Sequence, residues 1–178
     1  MKLIISLSLL FTMAFAQLYA QTFTPVENSS FVNFGIKNFG LTVNGSFKNI
    51  KGTISFNPAN LKASAFNITV DAATVNTDNS SRDSHLKKEE YFDVTRYPKI
   101  SFSSDKIDKT TTGTYIVTGR FIIKGITKTV AIPFTATPQN NGYLFSGKIQ
   151  LNRRDYKVGS SSMILSDNLL LSLNVFAK

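Results

Sequence analysis

The stretch from Arg82 to Phe102, RDSHLKKEEYFDVTRYPKISF, gathers the side chains best suited to chemistry. It holds the only histidine, His85, with Asp83 two residues before it and Glu89 and Glu90 after it. A histidine beside a carboxylate is the material of a general base. Such a base needs a nucleophile, and the serines on offer are Ser84 and Ser160 to Ser162. No G-x-S-x-G elbow occurs anywhere in the chain. A metal site needs several convergent ligands, and one imidazole beside flexible carboxylates supplies few. The chain has no cysteine, which excludes thiol catalysis, thiolate ligands and redox switching.

The same stretch reads more economically as structure. Asp83 or Ser84 can cap a short helix, with Leu86 turned inward and Lys87, Lys88, Glu89 and Glu90 outward. Tyr91 and Phe92 then pack on what lies beneath. Pro98 forces an extended approach and launches a strand through Ile100 and Phe102. Arg82 and Asp93 are placed to satisfy one another or the loop backbone. On this view the segment near 82–92 is a lid and brace, with contact to a ligand headgroup as a further role.

The elements that must carry this lid follow one period. Apolar residues recur at every second position, the mark of strands with one buried face. Val32, Phe34 and Ile36 alternate with Asn33, Gly35 and Lys37; Phe66, Ile68 and Val70 alternate with Asn67, Thr69 and Asp71. Shorter runs hold Ile54 and Phe56, Ile100 and Phe102, and Val130, Ile132 and Phe134. Long runs hold Tyr115, Val117, Gly119, Phe121 and Ile123, then Tyr143, Phe145, Gly147, Ile149 and Leu151, and finally Leu169, Leu171, Leu173 and Val175. Asn57-Pro58, Thr111-Thr112-Gly113, Lys124-Gly125 and Asn140-Asn141-Gly142 separate them as turns, the last three as hairpins. The pattern predicts an all-β fold of about eight antiparallel strands, and the long runs favour a closed barrel over a sandwich.

An eight-stranded barrel is just wide enough to be filled by side chains or to hold one small ligand. Thirteen of the fifteen phenylalanines fall after residue 20, mostly on the inner-face set. Gly119 and Gly147 fall on that face too, where a glycine marks either a bulge or a ligand's close approach. If the latter, replacing Gly119 by Leu shortens the cavity.

Residues 1–20 predict a secretory leader: Lys2, an uncharged apolar run, then small residues at Ala14, Ala16 and Ala20. Cleavage is expected after Ala20, leaving residues 21–178 as one domain. No cysteine follows the run, so a lipid anchor on cysteine is not expected. The expected compartment is the periplasm or the exterior, and without disulfides the domain must be held by packing. Nineteen Lys and Arg stand against eleven Asp and Glu after residue 20, a net charge of about +8. These charges are spread along the chain, which argues against nucleic acid as partner and for a solvated basic surface or contact with an anionic membrane surface. Such a surface is compatible with a homodimer without arguing for one.

RDSHLKKEEYFDVTRYPKISFSS resembles the RD-x-HL…FFD…YP-x-I-x-F-x-S pattern of the YceI-like family. Supporting pieces in matching order are SFVNFGIKN, VNGSFKNIKGTISFN, VTGRFIIKGITKTVAIPF and LNRRDYKVG. Asn38 stands where the family often carries His at the end of the first strand. The resemblance implies an eight-stranded antiparallel lipocalin-like barrel around an elongated apolar cavity. It implies non-enzymatic carriage or storage of a long-tailed isoprenoid lipid of quinone or polyprenyl type, with no metal and no cofactor beyond that ligand. The interior residues expected to meet the lipid are Phe34, Ile36, Phe66, Ile68, Phe102, Val117, Gly119, Phe121, Ile132, Phe134, Phe145, Gly147 and Ile149. Arg82, Asp83, His85 and Phe92 are expected at the mouth. The competing readings are a packed barrel acting on partners through its basic surface, and a lipid-modifying enzyme using His85.

Overall fold

The computed structural model describes residues 21–178. The expected leader and its cleavage point after Ala20 lie outside the described residues. Strand alternation produces β1 (Gln21–Phe23), β2 (Phe31–Asn38), β3 (Leu41–Phe56), β4 (Ala65–Asn76), β5 (Lys99–Thr111), β6 (Thr114–Ile123), β7 (Ile126–Gln139), β8 (Gly142–Asn152) and β9 (Leu165–Ala177). One helix, α1 (Ser80–Leu86), interrupts them. Every pairing is antiparallel, β2 joins β9, and β3 joins β4, so the sheet closes on itself. Closure removes the unpaired strand edges that invite aggregation.

The barrel has eight staves, and the first is broken in two. β2 covers the first half of β3, while β1 covers the second, with Phe23 opposite Ile54. Between them the chain is tied across to β9 by Thr24 and Val26, whose N–H groups donate to Lys178 and Phe176 carbonyls. β1 is an element that the alternation does not signal, because three residues carry no period.

The first half of β3, residues 41–50, is likewise invisible to a strict period of two. The register shifts between Ser46 and Lys48 and again before Lys51, and Asn49 is left-handed at φ 58°. These bulges bring both Phe47 and Ile50, three positions apart, to the inside. A further shift between Ser104 and Lys106 puts Ile107 on the inner face beyond Phe102.

The turns follow their chemistry. Lys124 and Gly125 both have positive φ, as do Asn140 and Asn141, which is the two-residue hairpin geometry that matches strand twist. Gly142 is therefore already in β8, where an added side chain would meet the Ala177 backbone. Phe39 and Gly40 make the β2–β3 turn in the same way, with Phe39 at φ 50°. A bulky residue pays sterically for that conformation, and Phe-Gly is no ordinary turn signal. Its N–H donates to the Ile164 carbonyl at 2.9 Å, which holds it there.

The helix occupies residues 80–86, shorter than the 82–92 segment expected. Its cap is Asn79, whose side-chain oxygen accepts from the Arg82 N–H, and neither Asp83 nor Ser84 performs that role. Turns carry the chain from residue 87 to Pro98, with the Phe92 N–H donating to the Leu86 carbonyl.

Candidate ligand-binding site

The two ends of the barrel differ. At one end β1, the close of β3 and the starts of β4, β6 and β8 bring aromatic side chains inward. Phe56, 2% exposed, is the hub. Its ring lies 5.3 Å from those of Tyr115 and Tyr143 and 5.4 Å from Phe145, edge to face in each case, with Phe66 and Phe134 at 6.3 Å. Edge-to-face contacts satisfy the ring quadrupoles and leave little void. This cluster is a floor.

Above it lies a cavity of about 510 Å³, within the range of roughly 300–1,000 Å³ usual for small-molecule sites. Its walls are overwhelmingly apolar. β2 supplies Phe34 and Ile36, β4 Phe66 and Ile68, β5 Phe102, β6 Val117 and Phe121, β7 Ile132 and Phe134, and β8 Phe145 and Gly147. Gly45 on β3 makes room for Phe34, whose ring would overlap a Cβ placed there. Val43, Phe47, Leu169, Leu171, Leu173 and Val175 complete the wall from β3 and β9.

Two residues expected inside do not line this space. Ile149 packs between the floor cluster and the upper core. Gly119 faces the bulge in β5: an added Cβ would lie 2.7 Å from the Ser104 Cα and 2.8 Å from the Phe102 ring. Its missing side chain lets two backbones approach and gives no room to a ligand. Gly119→Leu would therefore push the wall apart, not shorten the cavity.

The mouth is formed by α1, by Tyr91 and Phe92, and by the loop at residues 158–165. Thr77 is the knot of the helical side. Its hydroxyl donates to Asp83 Oδ1 at 2.6 Å and accepts from Arg82 Nε at 2.7 Å; Asp83 also accepts from the Thr77 N–H, and Arg82 Nη2 donates to the Thr77 carbonyl. Arg82 is thus bound to Thr77 and not to Asp93, which faces Arg96 at 3.9 Å. Asp83 is bound into this knot and is not among the residues that line the cavity. His85 is exposed on the rim, with its ring 5.0 Å from that of Tyr91. Among the described residues no three His, Cys, Asp or Glu side chains converge as metal ligands would.

The other side of the mouth rests on Arg153, which strand alternation does not flag because it follows the last residue of β8. Only 3% exposed, it sends Nε to the Ser166 carbonyl, Nη1 to the Val158 and Ser160 carbonyls, and Nη2 to the Leu165 carbonyl and Asp167 Oδ1. Five donors in one plane gather a loop that has no regular structure of its own. The paired arginines in LNRRDYKVG are the available sequence signal, without telling which is buried. Tyr156, in the same turn, lines the cavity, and burial followed by the nearby Asp155 charge pushes its phenol up to about 12. Beside the mouth, Phe39, Leu41, Met163 and Ile164 are exposed.

Comparison with known proteins agrees with this architecture. The solved structure of BcnA from Burkholderia cenocepacia superposes with a TM-score of 0.83 at 24% identity, covering 86% of this chain and 99% of that one. A Saccharophagus degradans structure described as a polyisoprenoid binding domain matches at TM-score 0.72 and 13% identity, covering 88% and 97%; both likenesses concern the fold. Among sequences, Protein YceI of Salmonella arizonae is 29% identical over 178 residues, 94% of this chain and 91% of that protein. A UPF0312 protein of Pseudomonas syringae pv. tomato is 32% identical over 136 residues, 72% and 71% of the two chains. The family model of the YceI-like domain matches residues 23–177, and the chain belongs to that family.

Proposed function

We propose that this protein is a non-enzymatic carrier or store that holds the tail of an isoprenoid lipid, of quinone or polyprenyl type, inside its barrel. The observation that carries this reading is the 510 Å³ apolar cavity, floored by aromatic rings and open at one mouth. A tail needs no polar recognition, because each buried CH₂ contributes roughly 0.8 kcal/mol. The description of the Saccharophagus protein as a polyisoprenoid binding domain supports the choice of tail. A catalytic role for His85 lacks support, since Asp83, its neighbour in sequence, is committed to Thr77. The expected leader favours work in the cell envelope, where such lipids reside.

Native mass spectrometry of protein purified from its own envelope, followed by organic extraction, tests this. A stoichiometric bound mass that extracts as a polyisoprenoid is the expected result. A clean apo mass with no uptake of added quinones or polyprenyl lipids would sink the proposal and favour a partner-binding role. The exposed apolar residues beside the mouth, with Lys37 next to them in β2, support loading at an anionic membrane surface. Flotation with anionic vesicles should carry wild type, and Phe39→Ser with Leu41→Ser should stay behind; equal flotation would remove the rim from the proposal.

A further inference from the structure

The two sides of the mouth are fastened differently. On the helical side Thr77 ties down both Arg82 and Asp83. On the other side residues 160–165 form a strap. Arg153 pins its ends, donating to the Ser160 carbonyl at one and the Leu165 and Ser166 carbonyls at the other. Just before it, the Gly159 N–H donates to the Glu90 carbonyl. Between these pins Ser161 to Ile164 have no regular structure. Ser162 Oγ accepts from the Ile164 and Leu165 N–H groups, a turn internal to the strap. Among the described residues one hydrogen bond ties the middle of the strap to the barrel, from the Phe39 N–H to the Ile164 carbonyl at 2.9 Å.

That bond is poised to part. Phe39 sits at φ 50°, a strained conformation for an aromatic residue that only its surroundings maintain. A single hydrogen bond at the surface is a weak restraint. Phe39 and Leu41 on one side of it, and Met163 and Ile164 on the other, are exposed, Met163 completely. Large apolar side chains gathered at a rim mark contact with an apolar surface. Asn38, Ser160, Ser161, Ser162, Ile164 and Leu165 line the cavity, so parting the strap from the β2–β3 turn opens the cavity wall.

A bilayer would favour the parted form. Side chains freed from the bond can sink further into the acyl boundary, and each apolar group removed from water adds stabilisation. In water, parting exposes more apolar surface, and the bond stays closed. Such a difference in affinity between two forms is what shifts a population. Lys37, exposed beside the turn, suits an anionic surface.

We infer that the strap at residues 160–165 is a gate released by contact. Docking of Phe39, Leu41, Met163 and Ile164 on an anionic bilayer breaks the Phe39–Ile164 hydrogen bond and widens the mouth. This gate presupposes the carrier reading and loading at a membrane surface, and it couples the two.

Vesicles of phosphatidylglycerol and phosphatidylcholine carrying an isoprenoid quinone test it. Without vesicles the Phe39 amide should be protected from hydrogen exchange. On vesicle-bound wild type it should exchange about tenfold faster while the floor strands keep their protection. A bilayer that merely covers the rim would slow this amide, so slowed or unchanged exchange in bound protein overturns the gate. Asn38 and Leu165 stand opposite one another beside the bond. Asn38→Cys with Leu165→Cys places there a disulfide that can be closed and reopened in one protein. Oxidised, this variant should float with the vesicles yet take up quinone about tenfold more slowly than when reduced. Equal rates overturn the gate and leave membrane loading standing. Wild type that fails to float overturns membrane loading, and wild type that floats but takes up nothing overturns the carrier reading; the gate falls with either.

Discussion

The floor of the barrel and its mouth are built from the same alternation and behave as opposites. At the floor, Phe56 packs against five aromatic rings. Toward the mouth the inner face turns mostly aliphatic, and the rings there form two short rows, Phe34, Phe47 and Phe92 in one and Phe102, Phe121 and Tyr156 in the other. Large rings packed edge to face across the axis fill a small barrel. Branched aliphatics reach less far inward and leave the axis empty. The difference teaches that stability and binding are separated along one axis: the floor holds the fold, and the upper half gives up packing contacts to keep a space.

The sharpest test of that separation removes the hub. Phe56→Ala should cost about 3–5 kcal/mol in urea unfolding, because a void opens among closely packed rings. Its counterpart Ile36→Ala should cost near 2 kcal/mol, the low end for such truncations, since the cavity it borders is already present. Equal costs would mean that the upper half is as tightly packed as the floor.

Next comes Arg153→Ala. It strands the buried carbonyl of Val158 and removes the contacts to Ser160, Ser166 and the half-exposed Asp167, so a loss of roughly 1–3 kcal/mol is expected. Hydrogen exchange should rise first in residues 158–167 while the floor strands stay protected. Uniform loss of protection would show that mouth and floor unfold as one unit.

Asn79→Ala acts on the opposite side of the mouth. Losing the cap on α1 should cost about 1 kcal/mol, seen as a small drop in melting temperature and faster exchange in residues 80–86.

A further effect appears only in alkali. The Tyr156 phenol ionises near 10.0 when exposed and near 12 when folded. The unfolded chain releases this proton first, so its contribution is fully present below pH 10 and is lost as pH climbs toward 12. The urea midpoint of wild type should fall more steeply across that window than that of Tyr156→Phe. Parallel curves would mean that the phenol is not desolvated.

Several features were legible in the residues because they are local. Alternation marks one face of each long strand, and most of the cavity's apolar residues come directly from that face. Asn140-Asn141 and Lys124-Gly125 announce their hairpins through residues that tolerate, or require no penalty for, positive φ. The segment near 82–92 reads as a short helix and lid over a barrel end, and the helix forms over residues 80–86. The first half of β3 was hidden because bulges change the period, and the Phe39-Gly40 turn because its left-handed residue is an aromatic held by Ile164 from another part of the chain.

By itself, then, the sequence determined an antiparallel barrel, the face of most strands and membership in the YceI-like family. Whether that barrel is filled or hollow was decided by the tertiary structure. An inner-face residue has the same period whether its side chain meets another across the axis, as Phe56 does, or faces open space, as Ile36 does. Gly119 is inner by period and packed by contact. Asp83 adjoins His85 in sequence and turns to Thr77 in space. Arg153 and Tyr156 stand three positions apart in one turn, yet the first has every donor engaged and the second has none. Those outcomes depend on where distant carbonyls and side chains arrive, and only closure of the sheet brings them there.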